Sequence, residues 1–251
     1  MDYEDMDAKL KANNIHVAIF CSPHNPTGRV WERREIEEAM EVYKNNECVV
    51  IADEIWSDLT LPGYQHIPTQ SVSEDAKNRT IALYAPSKTF NLAGLQTAAV
   101  YAENSILHHR MWRQLNTDEV AEPNAFAIQA TIAAFQYGEE WLDELREYVE
   151  KNKQYVTEFL QEKIPLIHPV AGDATYLMWL DCRKITESGR QFVKFIRKTS
   201  GLYVSGGNQY GRGGEGFLRV NVATSKLVVE DGMQRLYESV DAWLKEEKIS
   251  K

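Results

Sequence analysis

Short apolar runs separated by polar stretches dominate the first half of the chain. Four such runs occur, at 16–23, 48–55, 80–86 and 97–103. The second run is rich in β-branched residues and lacks polar–apolar alternation, which is typical of a strand buried on both faces. Between the first two runs, residues 32–45 repeat apolar positions at helical spacing. The pattern predicts an α/β layer with a mostly parallel sheet.

The second half of the chain, from Pro123 onward, has longer helical patterns. Apolar residues recur from 142 to 160 at helical spacing, which predicts one long amphipathic helix that ends by Pro165. Further strand patterns follow at 174–182, 202–207 and 217–223, and further helical patterns near 188–199 and 226–247. We therefore predict a second, smaller α+β domain. The boundary is placed inside the long helix, giving domains 1–145 and 146–251.

Composition narrows the class of protein. The 251 residues include 28 Lys and Arg against 37 Asp and Glu, a formal net charge of −9. This balance argues against nucleic acid or an anionic membrane as the main partner. No apolar run reaches the length of a bilayer-spanning helix, so we expect no membrane segment. Three scattered cysteines, Cys21, Cys48 and Cys182, predict reduced thiols in a cytoplasmic protein, with neither a disulfide framework nor a metal site.

Candidate chemistry lies where three of the apolar runs end. The runs are followed by SPHNPTGR (22–29), ADEIWSD (52–58) and APSKTF (85–90). In open α/β sheets, functional groups collect at the carboxyl ends of the strands. Each segment also has a plain structural interpretation: NPTG as a turn, Asp53 as a helix N-cap, and Lys88 as an ion-pair partner of Asp53 or Glu54. Their occurrence together favours a functional site.

These segments, with GEEWLDEL and FLRVNVA, resemble the pyridoxal-phosphate-dependent aminotransferase superfamily of fold type I. SKTFNLAGLQ and GEEWLDEL are most similar to its cystathionine β-lyase-like C–S lyase branch. The resemblance covers nearly the whole chain. It implies a pyridoxal 5′-phosphate cofactor, part of the large-domain sheet followed by the small domain, a small amino-acid substrate, and a homodimer in the full-length form.

The resemblance also implies roles for five residues. Lys88 would bind the cofactor aldehyde covalently and move the substrate Cα proton. Asp53 would pair with the pyridine nitrogen and keep it protonated, while Asn25 would hydrogen-bond the ring hydroxyl. Ser87 is a candidate phosphate ligand, or only a turn hydroxyl. Arg219 would bind the substrate α-carboxylate with its planar guanidinium, or be a surface residue of a strand.

Three positions depart from the pattern of the superfamily. Ala85 stands where many relatives carry a phosphate-binding hydroxyl, and Gln96 stands where ordinary aminotransferases carry a phosphate-binding arginine. The second departure fits the lyase branch. Trp56 replaces a tyrosine or histidine and cannot accept a hydrogen bond. The chain also lacks an N-terminal part that would supply the phosphate-cradling loop, so it resembles a C-terminal fragment.

The leading functional hypothesis is a C–S β-lyase that releases a thiol, pyruvate and ammonia from cystathionine or a cysteine conjugate. The first alternative is an aminotransferase, which shares the Cα–H abstraction and differs in the steps after it. The second alternative is a truncated product that does not catalyse on its own. The sequence leaves all three open.

Overall fold

The computed structural model describes residues 1–249, and these divide into two compact units. The first unit comprises Met1–His24 and Arg29–Glu144, and the second comprises Asn25–Gly28 together with the chain from Leu145 onward. The hydrophobic pattern gives no sign that four residues of an early loop belong with the later half. Across residues 1–249, we find no helix that is both long enough and apolar enough to cross a bilayer.

The first unit contains a four-stranded sheet and six complete helices. The strands are β1 (Val17–Cys21), β2 (Val49–Asp53), β3 (Thr80–Tyr84) and β4 (Ala99–Tyr101). The helices are α1 (Tyr3–Ala12), α2 (Arg33–Asn45), α3 (Glu74–Arg79), α4 (Pro86–Thr89), α5 (Ser105–Thr117) and α6 (Ala127–Tyr137). The four predicted strands and the helix at 32–45 are confirmed. Helices α1, α3 and α4 were not among the predicted elements.

The strands of this sheet lie in the order β1–β2–β3–β4. The first three are parallel, and β4 runs antiparallel to β3. The mostly parallel sheet is therefore confirmed, although the direction of β4 cannot be read from its apolar run. In register, Asp53 lies between Cys21 of β1 and Leu83 of β3.

The two faces of the sheet differ in burial. On one face, Phe20 and Val50 are buried in a core shared with Ile36 and Met40 of α2. On the other face, Val17 and Ile19 are 56% and 73% exposed. Because paired residues of parallel strands point to the same side, Asp53 shares this second, more open face.

The second unit contains an antiparallel sheet in the order β5–β6–β8–β7. Its strands are β5 (His168–Pro169), β6 (Leu177–Asp181), β7 (Ser205–Gly206) and β8 (Phe217–Asn221). Its helices are α8 (Gly189–Ser200) and α9 (Lys226–Ile249), and α7 (Glu139–Lys163) extends into it from the first unit. All of these elements were predicted except β5.

One predicted strand, 202–207, is much shorter than expected. Only Ser205 and Gly206 pair with β8, and a 3₁₀ turn begins at Gly207. A Cβ at Gly207 would lie 2.1 Å from the carbonyl oxygen of Gly214. This close approach of two backbone segments requires glycine and ends the strand early.

Candidate active site

Asp53 is the last residue of β2, and its carboxylate is half-buried. One oxygen, Oδ1, accepts a hydrogen bond from the backbone N–H of Ile55 at 3.3 Å. The other, Oδ2, lies 3.8 Å from the Cys21 thiol, which donates to it. The residues after Asp53 form turns rather than a helix, so its interpretation as a helix N-cap is wrong.

Lys88 lies in α4, a single helical turn that follows β3, and its side chain is half-buried. Within residues 1–249 it forms neither a hydrogen bond nor an ion pair. Glu54, one of the two structural partners considered for it, instead lies 3.4 Å from His66 and accepts a hydrogen bond from the Thr69 amide at 2.7 Å. The structural ion pair for Lys88 is therefore wrong, and its amine is available.

Ser87 lines a cavity of about 440 Å³ in the first unit. Gln96 and Ala85, two of the positions that depart from the superfamily pattern, line the same cavity. Neither Asp53 nor Lys88 does. The lining is mostly apolar, with a few polar groups, as is usual in small-molecule sites.

Asn25 and Arg219 come together in the second unit. A guanidinium nitrogen, Nη1 of Arg219, donates to Asn25 Oδ1 at 3.3 Å. The guanidinium carbon of Arg219 also lies 4.7 Å from the ring centre of Tyr210, a cation–π contact. Burial raises the pKa of Tyr176, and the positive charge of Arg219 opposes this rise. With two partners and a half-buried side chain, Arg219 is not a free surface residue.

Close backbone packing fixes the loop that carries Asn25. The carbonyl oxygen of Gly28 accepts hydrogen bonds from the amides of Asp173 and Ala174, at 2.8 and 2.9 Å. Gly28 has φ of +75°, and a Cβ there would lie 2.6 Å from the Ala174 oxygen. That oxygen also accepts a hydrogen bond from Nζ of the buried Lys153 at 2.9 Å. The glycine of NPTG thus permits both the turn and the approach.

Sequence reasoning missed four residues near the predicted site residues. Tyr210 contacts Arg219, and Lys153 bonds to the Ala174 oxygen beside the loop of Asn25. Asp58 and Tyr84 lie beside the turn of Lys88. Asp58 lies in the strand-end segment ADEIWSD, and its position there was a signal that could have drawn attention to it. The other three carry no local signal, because their roles depend on contacts with distant residues.

Comparisons with known proteins show the family to which this chain belongs. The sequence profile of the family described as aminotransferase class I and II matches residues 1–236. Cystathionine β-lyase PatB of Bacillus subtilis is 36% identical over 236 residues, covering 94% of this chain and 61% of that protein. Protein MalY of Escherichia coli is 31% identical over 242 residues, with coverage of 96% and 61%.

A solved structure shows the same likeness. Cystalysin from Treponema denticola, whose crystal structure contains a pyridoxal 5′-phosphate cofactor, matches with a TM-score of 0.93 and 28% identity. The match covers 96% of this chain and 61% of cystalysin. The chain therefore spans less than two thirds of the length of the proteins it matches.

Proposed function

The chain belongs to the aminotransferase class I and II family. On this basis we propose that it forms part of a pyridoxal-phosphate-dependent C–S β-lyase. The reaction takes cystathionine or a cysteine conjugate and one water, and it gives a thiol, pyruvate and ammonia. The relative named as a cystathionine β-lyase supports this class of reaction, and the cystalysin structure, which contains pyridoxal 5′-phosphate, supports the cofactor. Gln96, in place of the arginine of ordinary aminotransferases, supports it independently.

The observation that carries the proposal is the unpaired, half-buried amine of Lys88 at the carboxyl end of β3. The neighbouring strand, β2, ends in the carboxylate of Asp53. An amine for covalent attachment and a carboxylate for a protonated ring nitrogen are the donor set that pyridoxal phosphate requires. The residues present therefore fit this cofactor, with Ser87 as a hydroxyl for its phosphate.

Bound pyridoxal phosphate would supply an electron sink for the pair left at the substrate Cα. Lys88 removes the Cα proton as a general base, and within the described residues no carboxylate pairs with its amine. Asp53 would keep a proton on the ring nitrogen of the cofactor through its negative charge. The Cys21 thiol and the Ile55 amide orient that carboxylate.

Arg219 binds the α-carboxylate of the substrate in this proposal. Its guanidinium is held by Asn25 and by the face of Tyr210, so little rotamer freedom is lost when substrate binds. Asn25 would hold the ring hydroxyl of the cofactor through its amide nitrogen, as the family resemblance implies. A planar, two-pronged donor suits a carboxylate better than an ammonium does.

Covalent trapping tests the proposal directly. We expect pyridoxal phosphate followed by borohydride to leave a stable adduct on Lys88, located by peptide mass spectrometry. Lys88→Ala should abolish the adduct, whereas Lys77→Ala, at a lysine paired with Glu103 at 3.3 Å, should not. An adduct on other lysines only would contradict the proposal.

An aminotransferase is the second candidate, because a Clostridium difficile structure with 31% identity and a TM-score of 0.92 is described as a PLP-bound putative aminotransferase. Incubation with cystathionine separates the two activities. A lyase makes pyruvate without any keto-acid acceptor. Strict dependence on an acceptor would favour the aminotransferase.

The third candidate is a chain that does not catalyse by itself; the chain covers 61% of the length of each of the two curated relatives. Trapping on Lys88 without pyruvate release would be its signature. For the full-length form we propose a cytoplasmic homodimer acting on a small amino acid. Sedimentation of that form, with and without cofactor, tests the dimer.

A further inference from the structure

The carboxylate of Asp58 contacts both flanks of the turn that bears Lys88. Its Oδ2 accepts a hydrogen bond from the hydroxyl of Tyr84, four residues before the lysine. The same oxygen accepts one from Oγ1 of Thr89, the residue after the lysine, at 2.9 Å. Thr89 is fully buried, so its hydroxyl has little access to water as a substitute partner.

Helix α4 cannot hold its own orientation. It has four residues, Pro86 to Thr89, closed by the hydrogen bond from the Phe90 amide to the Pro86 oxygen at 2.9 Å. A single turn of helix is unstable in isolation, because nucleation fixes several dihedrals for one hydrogen bond. Its direction therefore depends on the groups that anchor its ends.

Aromatic packing anchors the end of the turn beyond the lysine. The Phe90 ring meets Phe135 edge-on at 5.1 Å and lies 6.0 Å from Trp141. A Cβ at Gly138, the residue between α6 and α7, would come within 2.6 Å of the Phe90 ring. Glycine at this position therefore lets the backbone approach the ring closely. Contacts between aromatic rings keep the rings together but allow them to slide past one another. A hydrogen bond, in contrast, also constrains the relative orientation of its donor and acceptor. The carboxylate of Asp58 supplies that directional constraint.

We propose that Asp58 is a positioning residue for Lys88, holding β3 and α4 together through Tyr84 and Thr89 so that the amine points toward the cofactor. This assignment rests on the proposed function only for the identity of the group that Lys88 attacks. Hydrogen bonds to an ionised acceptor are stronger than neutral ones. Burial raises the pKa of Tyr84, and Asp58 raises it further, so the phenol remains a donor throughout the neutral range.

The test uses Asp58→Ala and the nearly isosteric Thr89→Val, with Thr89→Ser as a rescue that keeps the hydroxyl. Glu103→Gln is the matched control, because Glu103 also accepts a hydrogen bond from a tyrosine, Tyr101, at 2.5 Å. Two readouts are compared across pH on the whole chain. One is hydrogen exchange of the Phe90 amide, and the other is the rate of borohydride-trapped attachment of pyridoxal phosphate at Lys88.

We expect Asp58→Ala and Thr89→Val to speed exchange of the Phe90 amide and to slow trapping by up to about 100-fold, the cost of a roughly 1 Å misplacement of reacting groups. Thr89→Ser and Glu103→Gln should behave as the wild type does, and far-ultraviolet circular dichroism should be unchanged. If Asp58→Ala fails to fold, Thr89→Val decides the matter alone.

Two outcomes separate this assignment from the proposed function. Unchanged exchange and unchanged trapping in Thr89→Val would overturn the role of Asp58 while leaving the lyase intact. A wild type that attaches no pyridoxal phosphate would refute the proposed function. In that case, faster exchange at Phe90 in Thr89→Val still supports the positioning role, and unchanged exchange refutes it.

Discussion

Lys153 is a buried amine whose charge opposes the fold. Its side chain donates to the Ala174 oxygen at 2.9 Å, and burial lowers its pKa to about 8, against a smaller opposing effect of Asp173. Because the charged form is disfavoured in the folded state, the unfolded chain holds this proton up to a higher pH. The buried charge of Lys153 therefore lowers the free energy of unfolding below about pH 8, and this destabilisation disappears as the pH rises.

We expect this to appear as a pH dependence of stability. Between the folded pKa of about 8 and the ordinary lysine value of 10.5, this group should raise the free energy of unfolding by up to about 1.4 kcal/mol per pH unit. Lys153→Met should remove that component. The measurement is urea unfolding at pH 7.5 and pH 10, comparing the difference between wild type and variant.

Lys151→Met is the control for this experiment. Lys151 is two residues away, 71% exposed, and paired with Glu147 at 3.6 Å. Its removal should leave the pH slope unchanged. Equal slopes in wild type and Lys153→Met would show that the amine is not desolvated.

Among the connecting elements, the loop that carries Asn25 depends on Gly28. Alanine there would adopt an unfavourable positive φ and would also place its Cβ 2.6 Å from the Ala174 oxygen. Gly63 has φ of +87°, but no atom lies within 4 Å of the position that a Cβ would take there. Alanine substitutions at Gly63 and Gly28 therefore distinguish the cost of backbone strain alone from the cost of strain combined with steric overlap.

We expect Gly63→Ala to cost about 1 kcal/mol of unfolding free energy, the usual cost of a left-handed alanine. Gly28→Ala should cost more, roughly 2–4 kcal/mol, since the backbone carbonyl cannot move aside like a side chain. Urea unfolding measures both. Equal costs would mean that the loop relaxes away from Ala174.

The elements also show which features the sequence could and could not predict. Strands β1 to β3 follow from uninterrupted apolar runs, and Lys88 and Asp53 follow from their position at the ends of such runs. The membership of Asn25–Gly28 in the second unit depends on hydrogen bonds to residues some 145 positions away, between Gly28 and Asp173. The contact of Asp58 with Thr89 is likewise set by the fold and has no local pattern.

At the scale of the whole molecule, the open face of the first sheet is a surface through which copies of the chain could associate. Val17 and Ile19 of the edge strand β1 are 56% and 73% exposed there. Parallel sheets are ordinarily covered on both faces, and an exposed apolar edge strand favours association with other chains. These 251 residues, when expressed on their own, should therefore associate as their concentration rises.

We expect Ile19→Lys to reduce this association without lowering stability, because the side chain already contacts water. Sedimentation velocity over a range of concentrations measures the effect. Val228→Lys, at a residue 56% exposed on α9, is the matched control and should change nothing. Association that persists equally in both variants would place the contact elsewhere.

The hydrogen bond between Arg219 and Asn25 has an evolutionary consequence. Residues in direct contact do not respond independently to substitution. Under the proposed function, in which Arg219 binds the substrate α-carboxylate, a lineage that exchanged that acid group would have to alter Arg219, and Asn25 would then lose its partner. We therefore expect the two sites to change in concert, with the double replacement less harmful than the sum of the single ones.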